Sequence, residues 1–222
     1  MKAQPVVIFG GPGAGSLVAQ FVNNIQAVDQ SLELYGFLND ELVAGSSFYG
    51  ASVLGDFDSW RKLPEEVQFI APLHKAKHMR ERAARINGLD VPQVRWARVI
   101  DPRAEVSPDI DIAHGCIVAP FSFVGGNTNI GAHTSIRAST SIGHDAKLGP
   151  FCFVGHNAVL CGYVRVEEGA HIAPGALVKE HCKIGRYCVI GMGTVVVEDV
   201  PDFAVVAGNP AKIIGWIEAS PE

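Results

Sequence analysis

The 222 residues carry a net charge of −5 and a sequence pI of about 5.9, a balance that disfavours nucleic acid or an anionic membrane surface as partner. No apolar run approaches the ~18 residues that span a bilayer, and the first residues lack the layout of a signal peptide, so a cytoplasmic protein is expected. The five cysteines form no CxxC pair, and four of them occupy the small inward slot of a repeat, which predicts reduced structural thiols.

The chain opens on PVVIF at 5–9, a buried strand, followed by the Gly-rich GGPGAG at 10–15 and a helical stretch from Ser16 to about Val28. A second strand covers Leu32–Leu38 and ends in Asn39-Asp40. A loop rich in Gly and Ser then leads to Val53-Leu54-Gly55 and a short helix, Asp56–Leu63. Val67–Ala71 reads as a third strand and Lys75–Ile86 as a basic helix. Strands alternating with helices predict a small, Rossmann-like α/β domain with a parallel sheet, residues 1–95. Strand, Gly-rich turn and helix in this order present backbone N–H groups that can cradle a phosphate. A tight βα turn explains the same glycines equally well, since the run is not a clean GxGxxG.

From Ile100 the pattern changes. Every sixth residue from Ile100 to Val196, seventeen positions without an insertion, is Ile, Val or Leu. Four residues after each comes a mostly small side chain, such as Cys116, Thr134, Ala146, Cys152 or Thr194. A helix needs apolar residues every three to four positions and a flat strand every two. A period of six fits a short strand and a bend, repeated, with three strands closing a triangular coil of about eighteen residues and coils stacked at ~4.8 Å. Burying each large aliphatic is worth roughly 1.5–3 kcal/mol. Residues 96–222 are therefore expected to form a left-handed parallel β-helix of hexapeptide repeats with a C-terminal segment ending in Ile213–Ile217.

Three features in this order carry a resemblance: the Gly-rich α/β unit, the unbroken repeat, and the ending Asp199-Val200-Pro201 to Val206-Ala207-Gly208-Asn209-Pro210-Ala211-Lys212. The chain resembles the bacterial sugar acetyltransferases of the NeuD/PglD type, over about residues 5 to 214. The resemblance implies a homotrimer with acetyl-CoA in a groove between neighbours and an amino sugar, commonly nucleotide-linked, as acceptor. It places the family's general base, a histidine followed by an acidic residue, at His144-Asp145. Histidine is well suited, because its ordinary pKa near 6.5 leaves it largely neutral at pH 7. The acetyl-CoA positions fall at Phe153, Gly162, Pro174 and Met192. Those of the acceptor fall at Gly13, Ala14, Asn39 and Asp40. Exposed Phe121, Phe123, Phe151 and Phe153 are read as one apolar patch on a single coil side, in keeping with the trimer.

The sequence departs from the family at several of these places. Asp145 stands where Glu is common, Phe153 where a second histidine helps hold the acetyl-CoA end, and Ala14 in a turn that usually reads G-H-G or G-H-A. Asn39-Asp40 replace two acidic residues, and Pro72-Leu73 a glycine. The other repeat histidines, His114, His133, His156, His171 and His181, fall at outward positions without the five-residue spacing of a zinc hydratase on this fold, so no metal is expected. Residues eighteen apart stack, giving a column Gly126, His144, Gly162, Glu180 through the candidate base. Glycines at such bends supply either φ > 0 or room for substrate. The leading expectation is an acetyl-CoA-dependent N-acetyltransferase acting on an amino sugar. O-acetylation of a sugar or other small hydroxyl compound, and a non-catalytic trimeric β-helix scaffold, are its alternatives.

Overall fold

The computed structural model describes residues 3–217. Its N-terminal unit runs β1 (Gln4–Phe9), α1 (Ala14–Val28), β2 (Leu32–Leu38), β3 (Ser47–Phe48), β4 (Ala51–Gly55), a 3-10 turn at Phe57–Lys62, β5 (Gln68–Ile70) and α2 (Met79–Asn87). The sheet order is β3-β4-β2-β1-β5, parallel from β4 to β5. Val6, Val7, Ile8 and Phe9 of β1 are fully buried, as expected of a central parallel strand covered on both faces. Helix α1 turns Val18, Ala19, Phe21, Val22 and Ile25 inward at helical spacing.

Two local features differ from the expectation. The Gly/Ser-rich loop contains the β3–β4 hairpin, paired antiparallel, so the sheet is mixed rather than purely parallel. Its two-residue turn, Tyr49-Gly50, has positive φ at both positions, the geometry that matches strand twist in a tight hairpin. Tyrosine at the first position hides that signal. Helix α2 begins at Met79 rather than Lys75, because Lys77 takes a left-handed φ of 64° that a continuing helix does not admit.

The repeat forms the three-faced β-helix. Two-residue strands stack in parallel at eighteen-residue offsets, as in Ser135↔Phe153 and Phe153↔His171, and make faces of six, five and eight strands. From Val118 to Val196 every sixth residue is buried, while Ile100, Val106 and Ile112 of the open first coil are only partly covered. Thr128, Thr134 and Thr140 in the small slot donate their hydroxyls to the next coil, as where Thr134 donates to the Gly149 carbonyl at 2.9 Å. The glycine after the large aliphatic is required by close stacking. A Cβ on Gly143 would lie 2.6 Å from the Gly162 nitrogen. Ala204–Ala207 continues the eight-stranded face, and Lys212–Trp216 closes it antiparallel.

The N-terminal unit packs on that eight-stranded face. Residues of α1 and β1 share a core with Val99, Ile117 and Ala119, and Phe9, Trp60 and Trp96 share another with Phe151. Asn24 of α1 donates to the buried Asp101 at 2.7 Å. This packing breaks up the expected aromatic patch. Phe121 and Phe123 are exposed on the way into the six-stranded face, whereas Phe151 is buried beneath the N-terminal unit and Phe153 is half-buried. Among the described residues no helix is long and apolar enough to cross a membrane.

Candidate active site

His144 and Asp145 occupy the corner between Ser141–Ile142 of the six-stranded face and Lys147–Leu148 of the five-stranded face. The corner turns through a left-handed residue three places after each aliphatic: Asn127, Asp145, Tyr163 and His181 have φ between 56° and 66°. The glycines of the column are therefore not the left-handed residues, since neither Gly126 nor Gly162 has a φ in that region. The left-handed turn at Asp145 folds its carboxylate back beside its neighbour. Its Oδ2 lies 2.7 Å from His144 Nδ1, so the shorter acidic side chain reaches the ring. Hydrogen bonds from His144 and Asn127 hold the Asp145 carboxyl below the usual carboxylate range. With Nδ1 engaged, Nε2 is the nitrogen left to meet a substrate.

Space for that substrate lies over the following coil. The His144 side chain is 62% exposed, and a Cβ on Gly162 would stand 3.1 Å from Nε2. The Tyr163 ring closes the far side, edge-on to His144 at 5.1 Å, and itself stacks on His181 at 4.8 Å. A groove of about 760 Å³ runs past Asp145 and Tyr163 along the five-stranded face, with Asp109 and Asp111 at one end and Arg165 and Lys183 at the other. Asn127 and Tyr163 were not singled out from the sequence, although the eighteen-residue offset from Asp145 points to both.

The remaining candidate residues lie elsewhere. Pro174 and Met192 are exposed at the corner between the eight- and six-stranded faces, stacked with His156 through Gly175 N–H to His156 O (2.8 Å) and Gly193 N–H to Pro174 O (3.0 Å). Phe153, on the eight-stranded face, stacks on His171 with centroids 4.5 Å apart. One chain thus gathers His144, Asp145 and Gly162 at one edge, and Phe153, Pro174 and Met192 around another. At the N-terminal turn, Gly13 (φ 92°) caps α1 and Ala14 begins it. Ala14, with Gly11 and Gly15 but not Gly13, borders a cavity of about 220 Å³ that Lys75 and Arg82 also line. Asn39 is occupied by its own turn, accepting from Glu41 and Leu42 N–H. Asp40 accepts from Phe57 N–H at 2.8 Å and pairs with Arg85. Their side chains are engaged in structure. Among the described residues no group of three or more His, Cys, Asp or Glu is arranged to hold a metal ion.

The family model of the bacterial transferase hexapeptide (six repeats) matches residues 163–198. The chain is 41% identical over 85 residues to an acyl-[acyl-carrier-protein]–UDP-N-acetylglucosamine O-acyltransferase of Pseudomonas fluorescens, 38% of this chain and 33% of that protein. It spans about a third of the length of the curated relatives it matches. Solved structures match far more of it. A histidine-to-asparagine mutant of perosamine N-acetyltransferase from Caulobacter crescentus, in complex with CoA and GDP-perosamine, superposes with a TM-score of 0.82 at 25% identity, over 95% of this chain and 97% of that one. The acetyltransferase domain of PglB from Neisseria gonorrhoeae, in complex with acetyl coenzyme A, gives 0.83 at 24% over 96% and 100%. WeeI from Acinetobacter baumannii gives 0.82 at 24% over 94% and 99%.

The class is therefore a left-handed β-helix of transferase hexapeptide repeats preceded by a small α/β unit. Within it, this chain has the repeat and whole-chain fold of the sugar acetyltransferases of the NeuD/PglD type, and the resemblance read from the sequence is borne out at that level.

Proposed function

We propose that this protein is an acetyl-CoA-dependent acetyltransferase that acts on the amino group of a nucleotide-linked amino sugar, with His144 as general base. The observation that carries the reading is the oriented histidine: Nδ1 tied to Asp145 at 2.7 Å and Nε2 facing the open space over Gly162. Support comes also from the perosamine N-acetyltransferase complex with CoA and GDP-perosamine, which shares this fold along nearly its whole length.

In this reading the acceptor nitrogen attacks the thioester carbonyl carbon and forms the C–N bond. His144 Nε2 takes the proton that the nitrogen sheds, and Asp145 stabilises the resulting imidazolium. Collapse of the tetrahedral intermediate breaks the C–S bond, and the proton passes from His144 to the departing CoA thiolate. Backbone N–H at the glycine-bearing coil is suited to the transient oxyanion. Acetyl-CoA would lie along Phe153, Pro174 and Met192 of a neighbouring copy in a trimer, because one chain holds those residues at a different edge from His144. Residues 1–95 would hold the nucleotide end through the Gly13-Ala14 turn, and residues 96–222 would perform the transfer.

The match to a UDP-N-acetylglucosamine O-acyltransferase favours a second reading, transfer to a hydroxyl with the same base. Thiol release from acetyl-CoA, measured with UDP-, GDP- and dTDP-linked 4-amino sugars and with their hydroxyl counterparts, decides between them. Turnover of an amino sugar is expected. Turnover of hydroxyl acceptors alone selects the second reading, and a lack of thiol release with every acceptor refutes both.

A further inference from the structure

Two charged side chains buried at the eight-stranded face are treated in opposite ways. Asp101 is fully buried and fully served: Arg103 Nε and Nη2 each donate to it at 2.9 Å, and Asn24 at 2.7 Å. Arg137 is only 8% exposed. Among the described residues it has no carboxylate within 4.0 Å, and its Nε has no hydrogen-bond partner. Covering most of an ionised group without giving it a partner is costly for a fold. In the slot that Arg137 occupies, just after the large aliphatic, several coils carry glycine, so the repeat itself makes no demand for a long cation there.

The surroundings are equally short of partners. The Arg137 guanidinium lies 5.7 Å from the centroid of the Phe153 ring. That ring is stacked on His171 and flanked by His74 of the N-terminal unit at 5.9 Å. Ser135 is the register partner of Phe153 on the preceding coil. Ser135 Oγ and His171 Nδ1 are buried, and both lack a partner. Three unsatisfied polar atoms therefore surround one aromatic ring. Burial pushes His74 down to about 3 and His171 to about 4, and His156, the other titratable neighbour of Arg137, is lowered as well. The histidines are neutral at pH 7 and the guanidinium is left as the local charge.

We propose that Arg137, with Ser135 and His171, binds an oxyanion of the substrate, a carboxylate or phosphate seated beside Phe153, and that it selects for substrates carrying that group. The proposal rests on the transferase reading only for the word substrate. The chemistry is that of a guanidinium fork meeting two oxygens, with the serine O–H and an imidazole N–H completing the shell. A carboxylate on the acceptor sugar and a phosphate of the nucleotide or of CoA both offer it.

The test measures binding by thermal shift and calorimetry for the full chain and for Arg137→Met and Arg137→Lys. The probes are inorganic phosphate, CoA, UDP, GDP, and a UDP-linked neutral hexosamine beside a UDP-linked hexuronic acid. The parent is expected to gain stability with an oxyanion probe. A response to the hexuronic acid beyond that to UDP assigns the carboxylate; full response to CoA, a nucleotide or phosphate alone assigns the phosphate. Arg137→Met should bind the effective probe at least about tenfold more weakly (~1.4 kcal/mol), while melting at or above the parent without ligand, because an unpaired buried charge has been removed.

If that variant fails to fold, Arg137→Lys decides, since it keeps the charge and loses the fork: weaker binding supports the site and equal binding overturns it. Absence of any oxyanion response in the parent overturns the proposal. So does a ligand-free melting point well below the parent's with the response retained, which makes Arg137 structural. A fall in sedimentation mass for Arg137→Met also overturns it, since the counter-charge is then a carboxylate of a second copy. Oxyanion binding that depends on Arg137 in a protein that transfers no acetyl group leaves the site standing and removes the transferase reading alone.

Discussion

The corner that bears His144 and the face that bears Arg137 belong to the same stack of coils but sit in opposite environments. At the corner the ring is mostly exposed and its own partner is paired in turn: Asp145 holds His144 and is itself held by Asn127. On the face the charge is covered by the N-terminal unit, and three polar atoms around Phe153 have none. The corner has its polar contacts in place but is open to water, whereas the face is largely covered but carries unpaired polar atoms. Charge stabilisation is stronger where water is excluded, so the open corner gains most from a second surface laid over it. That is the physical case for the trimer we propose, in which the two environments of neighbouring copies meet across the substrate.

Removing the proposed base separates the two most sharply. His144→Ala should lower kcat by ~10²–10⁴-fold with an unchanged melting temperature, because the side chain lies outside the coil core. Thiol release and circular dichroism on the same preparation check both parts, and a variant as fast as the parent removes His144 from the mechanism. Asp145→Asn should cost up to about 10⁴-fold, since the amide can turn its N–H toward the ring and fix the wrong tautomer for a base at Nε2.

Next in size is Gly162→Ala. Its added methyl would stand 3.1 Å from His144 Nε2, where the proposed mechanism puts the reacting carbonyl. A positioning loss on the order of 10²-fold in kcat/KM is expected, with little change in melting temperature, since the backbone at Gly162 is outside the left-handed region. Loss of stability with activity per folded molecule retained would show that the coil, and not the substrate, needs the glycine. Smaller again is Met192→Glu at an exposed corner position. It should weaken CoA binding about tenfold, ~1.4 kcal/mol, by calorimetry, and unchanged affinity would place the cofactor away from the column that holds Pro174.

How much of this was legible in the sequence follows from what a period encodes. The six-residue repeat states which side chains face inward and which stack eighteen apart, so the β-helix and the neighbourhood of His144 and Gly162 could be read directly. It says nothing about what covers the outside of a coil. Phe151 and Phe121 follow the same outward rule, yet one is buried under the N-terminal unit and the other is exposed. Nothing in the period marks Arg137 for burial either. Nor does the period say which corner residue turns left-handed. Glycine suggested itself at 126 and 162, but Asn127, Asp145, Tyr163 and His181 take that role, and at Asp145 the turn is what brings the carboxylate onto the imidazole. In the N-terminal unit Asn39 and Asp40, read as acceptor positions, are engaged locally, Asn39 in its own turn and Asp40 through Phe57 and Arg85, contacts no local pattern announces.

The smallest effect concerns the covered face and its response to acid. His133 is 4% exposed, its ring stacked on Phe151 at 5.1 Å and edge-on to Trp96 at 4.6 Å, and its Nδ1 is buried without a partner. Burial first, and then the nearby His114, lower its pKa from 6.5 to about 4. Above pH 6.5 the residue is neutral both folded and unfolded and does not affect stability. Between about 6.5 and 4 the unfolded chain takes a proton that the folded chain refuses, so stability falls as the pH falls, and below about 4 the loss levels off. A contribution on the order of 1–3 kcal/mol across that window follows from a shift of this kind. His133→Phe keeps the ring and removes the proton site. It should therefore melt close to the parent at pH 8 and a few degrees above it at pH 5, roughly 2–4 °C per kcal/mol for a chain of this size. His74, which meets the His133 carbonyl through Nε2 at 2.9 Å, keeps that contact in the variant and continues to contribute its own acid sensitivity. The difference between the two melting curves thus isolates one histidine. Parallel curves from pH 8 to pH 5 would mean that water reaches this ring, and that the face is less dry than its packing implies.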